Sequence, residues 1–242
     1  MRRRIVLGTA ALAVGLATAL AGPAQAAGHA VLHVPSDFDP ALSDTRATGH
    51  YEVHGSGLRV WTTGNASTDK VAEYVDTSIP LTSVGEPSLI LTNTSGTIPP
   101  GFQLVVDFDG NGTADGILVG EPTSYGNDWW LNNAAEQFVK DGAPSHTGGS
   151  GSDNHGTLDE WRANFPSANV VAFGFSLGSG VEGDWTITSI EFAGTTYTFA
   201  KGAPLTDKDQ CKNGGWATSY PTTFTNQGDC VSSFASKGKN KN

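Results

Sequence analysis

Short β-type runs repeat along the chain between about Ala27 and Phe199, and turn residues separate them. Residues 57–62 and 70–75 alternate apolar and polar side chains with the period of two that is typical of a half-buried strand. Residues 87–92 and 102–107 are apolar along most of their length, as expected for strands buried between sheets. Further runs of this kind lie at 31–34, 117–119, 170–175, 185–192 and 196–199. The pattern predicts an all-β protein, an antiparallel β-sandwich or jelly roll.

The composition agrees with that fold class. The 242 residues include 31 Gly, against roughly 17 expected at ~7% usage, and only 16% of the residues are charged. Abundant Gly, Thr and Ser disfavour a large helical bundle. Two short helices are expected inside a loop of the sandwich. One would begin at Thr157, which forms a capping-box pattern with Glu160, and the other would span Asn133 to Lys140.

The first 26 residues have the pattern of a secretory signal peptide. Three arginines, Arg2 to Arg4, precede an apolar run, and Ala24-Gln25-Ala26 supplies a small-residue cleavage site. The mature chain is therefore expected to begin at Ala27 and to be secreted into the extracellular space. No later window reaches 18 apolar residues, so no membrane span is expected in the mature chain.

The predicted mature chain is strongly acidic. It carries 11 basic and 24 acidic side chains, a net charge of −13. Nonspecific binding to nucleic acid requires a basic surface that attracts phosphates. Nucleic acid is therefore excluded as an expected partner.

The segment from Asp107 to Gly116 carries the strongest local motif. Oxygen-bearing side chains recur at alternate positions and a glycine permits a sharp turn, as in calcium-binding loops. The ligand candidates are Asp107, Asp109, Asn111, Thr113 and Asp115. The segment resembles the D-x-D-x-[DN]-G-x-x-D loops of dockerins, thrombospondin type 3 repeats and FG-GAP repeats. The EF-hand glutamate is missing, because Leu118 stands at its position. Ca²⁺ is the cofactor that this loop predicts, and an Asx-rich turn without metal is the alternative.

An aromatic stretch, residues 125–131, is the candidate ligand-binding surface. If it is extended, Trp129 and Trp130 point to opposite faces. Indole rings beside amides suit sugar stacking, so Tyr125, Asn127, Trp129 and Trp130 are candidate saccharide contacts. The alternative is that both tryptophans pack into a core beneath a helix.

Catalytic patterns are weak in this sequence. Gly174-Phe175-Ser176-Leu177-Gly178 fits the G-x-S-x-G pattern of esterases, but no helix-forming segment follows Ser176 and all six histidines precede it. Ser176 is therefore predicted to be an ordinary strand residue. A Ser176 partnership with His146 or His155 stays open, because such triads are defined by geometry. Acidic pairs such as Asp159/Glu160 are common at this composition, and His50/His54 is interpreted as a surface pair.

The C-terminal region is expected to form a small appendage. Residues 201–208 are predicted to be a linker, residues 209–234 a disulfide-stapled segment and residues 235–242 a disordered tail. Cys211 and Cys230, which are 19 residues apart, are the only cysteines, and in an exported chain they are expected to pair with each other.

The same region carries a resemblance to known proteins. The residues Cys211-Lys212-Asn213-Gly214-Gly215-Trp216, followed by Phe224-Thr225-Asn226-Gln227-Gly228-Asp229-Cys230-Val231, resemble a tail found in exported actinobacterial β-sandwich proteins of unassigned function. The segments 116–122 and 125–130 are similar to those proteins as well. The resemblance implies export and a β fold, and it implies no activity.

The expected function is that of a secreted, non-catalytic binding or cell-surface-associated protein, with polysaccharide as the ligand class. The alternative is a secreted hydrolase that acts on esters or glycans. A histidine or paired carboxylates meeting in one concave pocket would favour the hydrolase. A shallow aromatic face without such groups would favour the binding protein.

Overall fold

Twelve strands form two six-stranded sheets in the structure, a computed structural model that describes residues 28–149 and 152–237. The strands are β1 (Gly28–Pro35), β2 (Gly49–His54), β3 (Gly57–Thr62), β4 (Lys70–Pro80), β5 (Ser88–Ser95), β6 (Gly101–Asp107), β7 (Gly116–Gly120), β8 (Asp128–Leu131), β9 (His155–Thr157), β10 (Asn169–Gly178), β11 (Gly183–Phe192) and β12 (Thr195–Gly202). The α-helices are α1 (Pro122–Tyr125), α2 (Gln137–Gly142), α3 (Leu158–Asn164) and α4 (Gln227–Lys237). Three 3₁₀ turns lie at Leu81–Ser83, Lys208–Cys211 and Gly215–Thr218.

The first sheet has the order β1-β12-β11-β3-β2, and β5 pairs with β11. Because residues 184–187 of β11 pair with both β3 and β5, these two strands lie on opposite edges of β11. The second sheet has the order β4-β10-β6-β7-β8-β9. All pairings are antiparallel except β1 with β12, which is parallel. The predicted antiparallel-rich sandwich is therefore confirmed.

The core lies between the two sheets. Phe173 of β10 stacks on Phe192 of β11 with ring centroids 4.2 Å apart, which joins one sheet to the other. All seven residues of β6 are buried. Its inner face packs in the main core, while Val105 packs on the outer side with Ala72 and Tyr74 and with Leu42 from the segment before β2. Burial on both faces explains why this strand is continuously apolar in sequence.

The structure places several local elements where the sequence predicts them. The Thr157 capping box is present at the start of α3, since the Thr157 side chain accepts from the Glu160 backbone and Glu160 accepts from the Thr157 backbone. The helix predicted from Asn133 begins only at Gln137. The reason is that the Asn132 and Glu136 amides donate to carbonyls of Ile117 and Asp115 and not to helical neighbours.

Three strands were not predicted, namely β2, β8 and β9. β8 has four residues and β9 has three, so neither is long enough to show a period of two. These two strands extend the second sheet beyond β7, and they position the candidate site.

The predicted signal peptide, residues 1–26, and residues 238–242 of the predicted tail lie outside the described residues. Residues 235–237 form the end of α4, and residues 201–202 of the predicted linker belong to β12. Within the described part of the chain, no helix is both long and apolar enough to cross a membrane.

The C-terminal segment is held together by the predicted disulfide between Cys211 and Cys230, both of which are fully buried. Tyr220 of this region stacks on His33 of β1 with ring centroids 3.8 Å apart, which places it against the sandwich. A short bridge between Ala203 and Ser219 continues this contact. The segment therefore has its own covalent closure and packs on the sandwich through Tyr220 and the bridge at Ser219.

We expect replacement of both cysteines by serine to release the C-terminal segment and to leave the sandwich intact. On the chain-entropy model a loop of this length contributes ~3 kcal/mol, and the contribution is confined to the segment it closes. Hydrogen exchange should show protection lost across residues 204–237 and retained in β6 and β10. Loss of protection in those central strands would contradict the independence of the two parts.

A buried carboxyl group lies between the edges of the two sheets. Glu73 of β4 is 3% exposed, and its Oε1 accepts a hydrogen bond from the Thr45 hydroxyl. Burial raises the pKa of Glu73 above its usual value. The pKa of Tyr51 is also raised, first by its own burial and then by the charge of Glu73. Ionised Glu73 is therefore a source of instability in the native state.

Glu73→Gln should stabilise the protein at pH 7 and have a smaller effect at pH 4. Because the folded-state pKa is raised, native protein binds this proton more tightly, and stability falls as pH rises from the unfolded value through the folded one. Glutamine keeps the acceptor for Thr45 and removes the charge. Calorimetry at both pH values measures the change in melting temperature between the variant and the wild type. Each kcal/mol of stability corresponds to roughly 2–4 °C. An equal shift at both pH values would contradict the assignment.

Candidate functional site

A cleft of about 670 Å³ opens between the two sheets at the β5 edge. Its walls are mostly apolar. The residues of these walls are Pro87, Leu89, Leu91, Pro99, Pro100, Phe102, Gly120, Pro122, Gly126, Trp129 and Leu158. Polar groups are contributed by Glu86, Ser88, Thr123, Asn127, Asp128, Thr157 and Asp159. The cleft therefore combines an apolar surface with hydrogen-bonding groups, which is the usual make-up of a ligand site.

The four predicted saccharide contacts divide between two surfaces. Trp129 is 6% exposed, belongs to the core and lines the cleft, where it packs edge-to-face on Phe102 at 5.8 Å. The exposed Asn127 also lines the cleft. Trp130 and Tyr125 are half-buried and stack on each other at 6.0 Å on the outer side.

Trp129 and Trp130 point to opposite faces because they are neighbours on strand β8. Trp129 pairs with Gly120 of β7, and its ring lies over that glycine. A Cβ atom at Gly120 would stand 3.0 Å from the indole, so a larger residue there would push the ring away and the close approach favours glycine. Trp130 faces the other way, and its Nε1 donates to Glu121 at 3.1 Å. Burial raises the pKa of Glu121, and the Trp130 hydrogen bond opposes that rise.

A cluster of two imidazoles and two carboxylates adjoins the cleft. Asp128 Oδ2 lies 2.8 Å from His146 Nδ1 and 2.9 Å from His155 Nδ1. The other ring nitrogen of His146, Nε2, lies 2.9 Å from Glu160 Oε1. We call Asp128, His146, His155 and Glu160 the His–Asp cluster. Since Asp128 also lines the cleft, the cluster and the cleft share a wall.

Local structure explains how distant residues meet in the His–Asp cluster. β8 pairs with β9 so that Asp128 stands opposite Thr157 and Trp130 opposite His155. The His146 backbone amide donates to the His155 carbonyl at 3.0 Å, which brings the preceding segment alongside β9. Glu160 Oε2 accepts from the Thr157 amide and hydroxyl, both at 2.8 Å, as part of the helix cap.

The electrostatics of the cluster follow from these contacts. Hydrogen bonds from His146 and then from Thr157 lower the pKa of Glu160 to about 2. Glu160 and Asp128 in turn raise the pKa of His146. His155 is 2% exposed, and the Tyr125 ring packs edge-to-face against its imidazole at 5.1 Å. The buried His155 imidazole thus has the Asp128 carboxylate at Nδ1 and the Tyr125 ring packed against it.

The Asp107 loop joins β6 to β7 at the end of these strands farther from the cleft. Both oxygens of Asp107 accept from the loop backbone, at distances of 2.8–3.1 Å from the amides of Gly110, Asn111 and Gly112. Asp115 Oδ2 accepts from the Phe108 amide at 2.7 Å.

Carboxylate oxygens of Asp107, Asp109 and Asp115 lie within 4.8 Å of one another. The other two predicted ligands, Asn111 and Thr113, bond to each other, since Asn111 Oδ1 accepts from the Thr113 amide at 2.8 Å. The loop is thus folded by Asx turns, and it brings three carboxylates together.

Ser176 lies inside β10 and is 5% exposed, with its hydroxyl donating to the Gly178 carbonyl at 3.2 Å. Strand β11, not a helix, follows it. Its local structure is that of a strand residue and not of a nucleophile elbow. His50 and His54 are both exposed on β2, and His50 stacks on Trp61.

Sequence reasoning did not group the residues of the His–Asp cluster. Asp128 appears only as part of the aromatic stretch, and Glu160 appears as a capping residue and as half of the acidic pair with Asp159. No regular spacing links Asp128, His146 and His155, because the contacts depend on the register of β8 and β9.

Comparison of the chain with models of protein families, with curated proteins and with solved structures finds no match.

Proposed function

We propose that the protein is a secreted, non-catalytic binding protein, and that its cleft binds a short stretch of an extracellular polysaccharide. The observation that carries the proposal is the cleft itself, which has apolar walls from both sheets and oxygen-bearing groups around them. The signal-peptide pattern and the disulfide support an extracellular location. The volume of about 670 Å³ lies in the usual range of small-molecule sites.

A saccharide matches this surface chemically. The C–H faces of a sugar ring suit the apolar side chains of Leu89 and Leu91 and the edge of Trp129. Sugar hydroxyls can donate to the carboxylates of Asp128 and Asp159, and the Asn127 amide can both donate and accept. Anionic glycans are disfavoured because the described residues that line the cleft include no basic side chain, and the nearby Arg162 is already paired with Glu86 and Asp159.

Filling the cleft with a bulky side chain should abolish binding. Thr123 is exposed on α1 and lines the cleft, so Thr123→Trp places an indole there without disturbing the core. Pull-down with insoluble cellulose, chitin and bacterial cell-wall glycan should retain wild-type protein on at least one of them. We expect Thr123→Trp to lose at least tenfold in the bound fraction.

Thr223→Trp is the matched control, because Thr223 is an exposed threonine in the C-terminal segment, outside the cleft. It should bind like the wild type. Retention of Thr123→Trp on the same glycan, or wild-type protein that binds none of the three, would contradict the proposed function.

A secreted hydrolase is the second candidate function, and one observation favours it. Asp128, Asp159 and Glu86 line the same cleft, and two histidines contact Asp128. Carboxylates flanking a bound glycan are the groups that glycoside hydrolysis uses. If aryl glycosides or esters are turned over and Asp159→Asn removes that activity, hydrolysis replaces binding as the function of the cleft.

The Asp107 loop carries a separate proposal, that Ca²⁺ binds there and orders the connection between β6 and β7. Three carboxylates within one short loop repel one another, and a divalent cation offsets that repulsion. Backbone donors to Asp107 already hold its carboxylate toward the inside of the loop.

Millimolar Ca²⁺ should therefore raise the melting temperature relative to chelator. A hundredfold excess over Kd corresponds to ~2.7 kcal/mol, which is about 5–10 °C in a domain of this size. Mg²⁺ should have a smaller effect, because it demands tighter octahedral geometry. Asp109→Ala should abolish the calcium effect. Identical wild-type curves in calcium and in chelator would mean that the loop is an Asx-rich turn without metal.

A further inference from the structure

The two imidazoles of the His–Asp cluster are used by neither the saccharide proposal nor the calcium loop, and the saccharide proposal uses only the Asp128 carboxylate at its edge. Two imidazole nitrogens and one carboxylate oxygen meet at one point, and each of the three residues offers an atom within 4.8 Å of the others. Imidazole with carboxylate suits a transition metal such as zinc, whereas all-oxygen sets suit calcium and magnesium. We propose that Asp128, His146 and His155 bind one Zn²⁺.

The geometry of the cluster is close to that of a zinc site. Zinc holds nitrogen and oxygen ligands at about 2.0–2.2 Å, which places ligand atoms about 3.3 Å apart around a tetrahedral ion. The present separations from Asp128 Oδ2 are 2.8 Å and 2.9 Å. Binding of the ion requires each ring nitrogen to move about 0.4–0.5 Å farther from Asp128 Oδ2 and to turn its lone pair from that oxygen toward the metal. Two of the three ligands lie on paired strands that hold them in register.

The charge balance favours a divalent cation. With both imidazoles neutral, Asp128 and Glu160 give the cluster a charge of −2, and one Zn²⁺ offsets that charge completely. Asp128 is only 17% exposed and His155 is almost fully buried, so water screens this part of the cluster poorly. A divalent ion bound by the neutral imidazoles therefore offsets two carboxylate charges at a partly buried site.

Glu160 contacts the His146 ring nitrogen that would not bind the metal, and so it can hold that ring in place. A histidine that binds a metal through one nitrogen commonly donates the other ring N–H to a carboxylate, which fixes the ring and increases its basicity. His146 Nε2 lies 2.9 Å from Glu160 Oε1, while Glu160 Oε2 is held by the α3 cap. The capping box thus anchors the group that orients a ligand.

Three protein ligands leave a fourth tetrahedral position for water or for a ligand atom. Asp128 is the residue common to the cluster and the cleft. The proposed metal would therefore lie next to a ligand bound in the cleft. Zinc binding by the cluster does not depend on which ligand the cleft binds.

The test is zinc binding by the metal-stripped full-length protein, measured by calorimetry with ZnCl₂ in an excess of Ca²⁺ so that the Asp107 loop does not compete. We expect one zinc per chain, and intense visible absorption when Co²⁺ is used in place of zinc. His146→Gln should weaken binding more than a hundredfold, and because His146 is 38% exposed this variant should fold. Asp128→Asn is the second ligand variant.

Two further kinds of variant separate the ligands from their surroundings. Glu160→Gln keeps an oxygen for the Thr157 cap but not the charge opposite His146, so zinc affinity should fall about 10–100-fold while the secondary structure measured in chelator by circular dichroism stays unchanged. The double variant His50→Gln/His54→Gln removes an equal number of histidines from an exposed strand and should bind zinc like the wild type. Asp109→Asn should do so as well.

The proposal is overturned if wild-type protein binds no zinc at micromolar concentrations. It is also overturned if His146→Gln and Asp128→Asn keep wild-type affinity, or if the His50/His54 variant loses the binding. Unchanged affinity in Glu160→Gln would overturn the role assigned to that residue.

Discussion

One oxygen of the Asp128 carboxylate lies within hydrogen-bond distance of the imidazoles of both His146 and His155, and this double contact organises the region beyond β7. It joins β8, β9 and the segment that precedes β9. Through His146 it reaches Glu160 and so the first turn of α3. Since α3 and β8 also form one side of the cleft, the position of that wall depends on a polar contact and not only on apolar packing.

The two polar clusters at opposite ends of β7 differ in chemistry. The Asp107 loop offers carboxylate oxygens, which hard cations such as Ca²⁺ prefer, whereas the His–Asp cluster offers imidazole nitrogens as well. They are connected by the segment between β8 and α2, because the Asn132 and Glu136 amides bond to carbonyls of Ile117 and Asp115. The sandwich thus supplies the frame, and the β6–β7 loop together with the segments after β7 supplies the groups capable of binding.

The sequence predicts most of the sandwich because period-two alternation and continuous apolar runs report burial directly. It also predicts that Trp129 and Trp130 face opposite sides, because strand geometry alone requires it. It cannot predict that Asp128 meets His155, 27 residues away, since that contact depends on the register of two very short strands. The carboxylate of Asp107, by contrast, meets that of Asp115 within a single loop, where spacing is informative.

Crystals grown with ZnCl₂ and measured on both sides of the zinc absorption edge would locate the ion directly. The proposed site predicts an anomalous peak about 2.0–2.2 Å from Asp128 Oδ2, His146 Nδ1 and His155 Nδ1, beside the wall of the cleft. Density that shows Asp128 hydrogen-bonded to both imidazoles with no peak between them, or a peak only at the Asp107 loop, would contradict it.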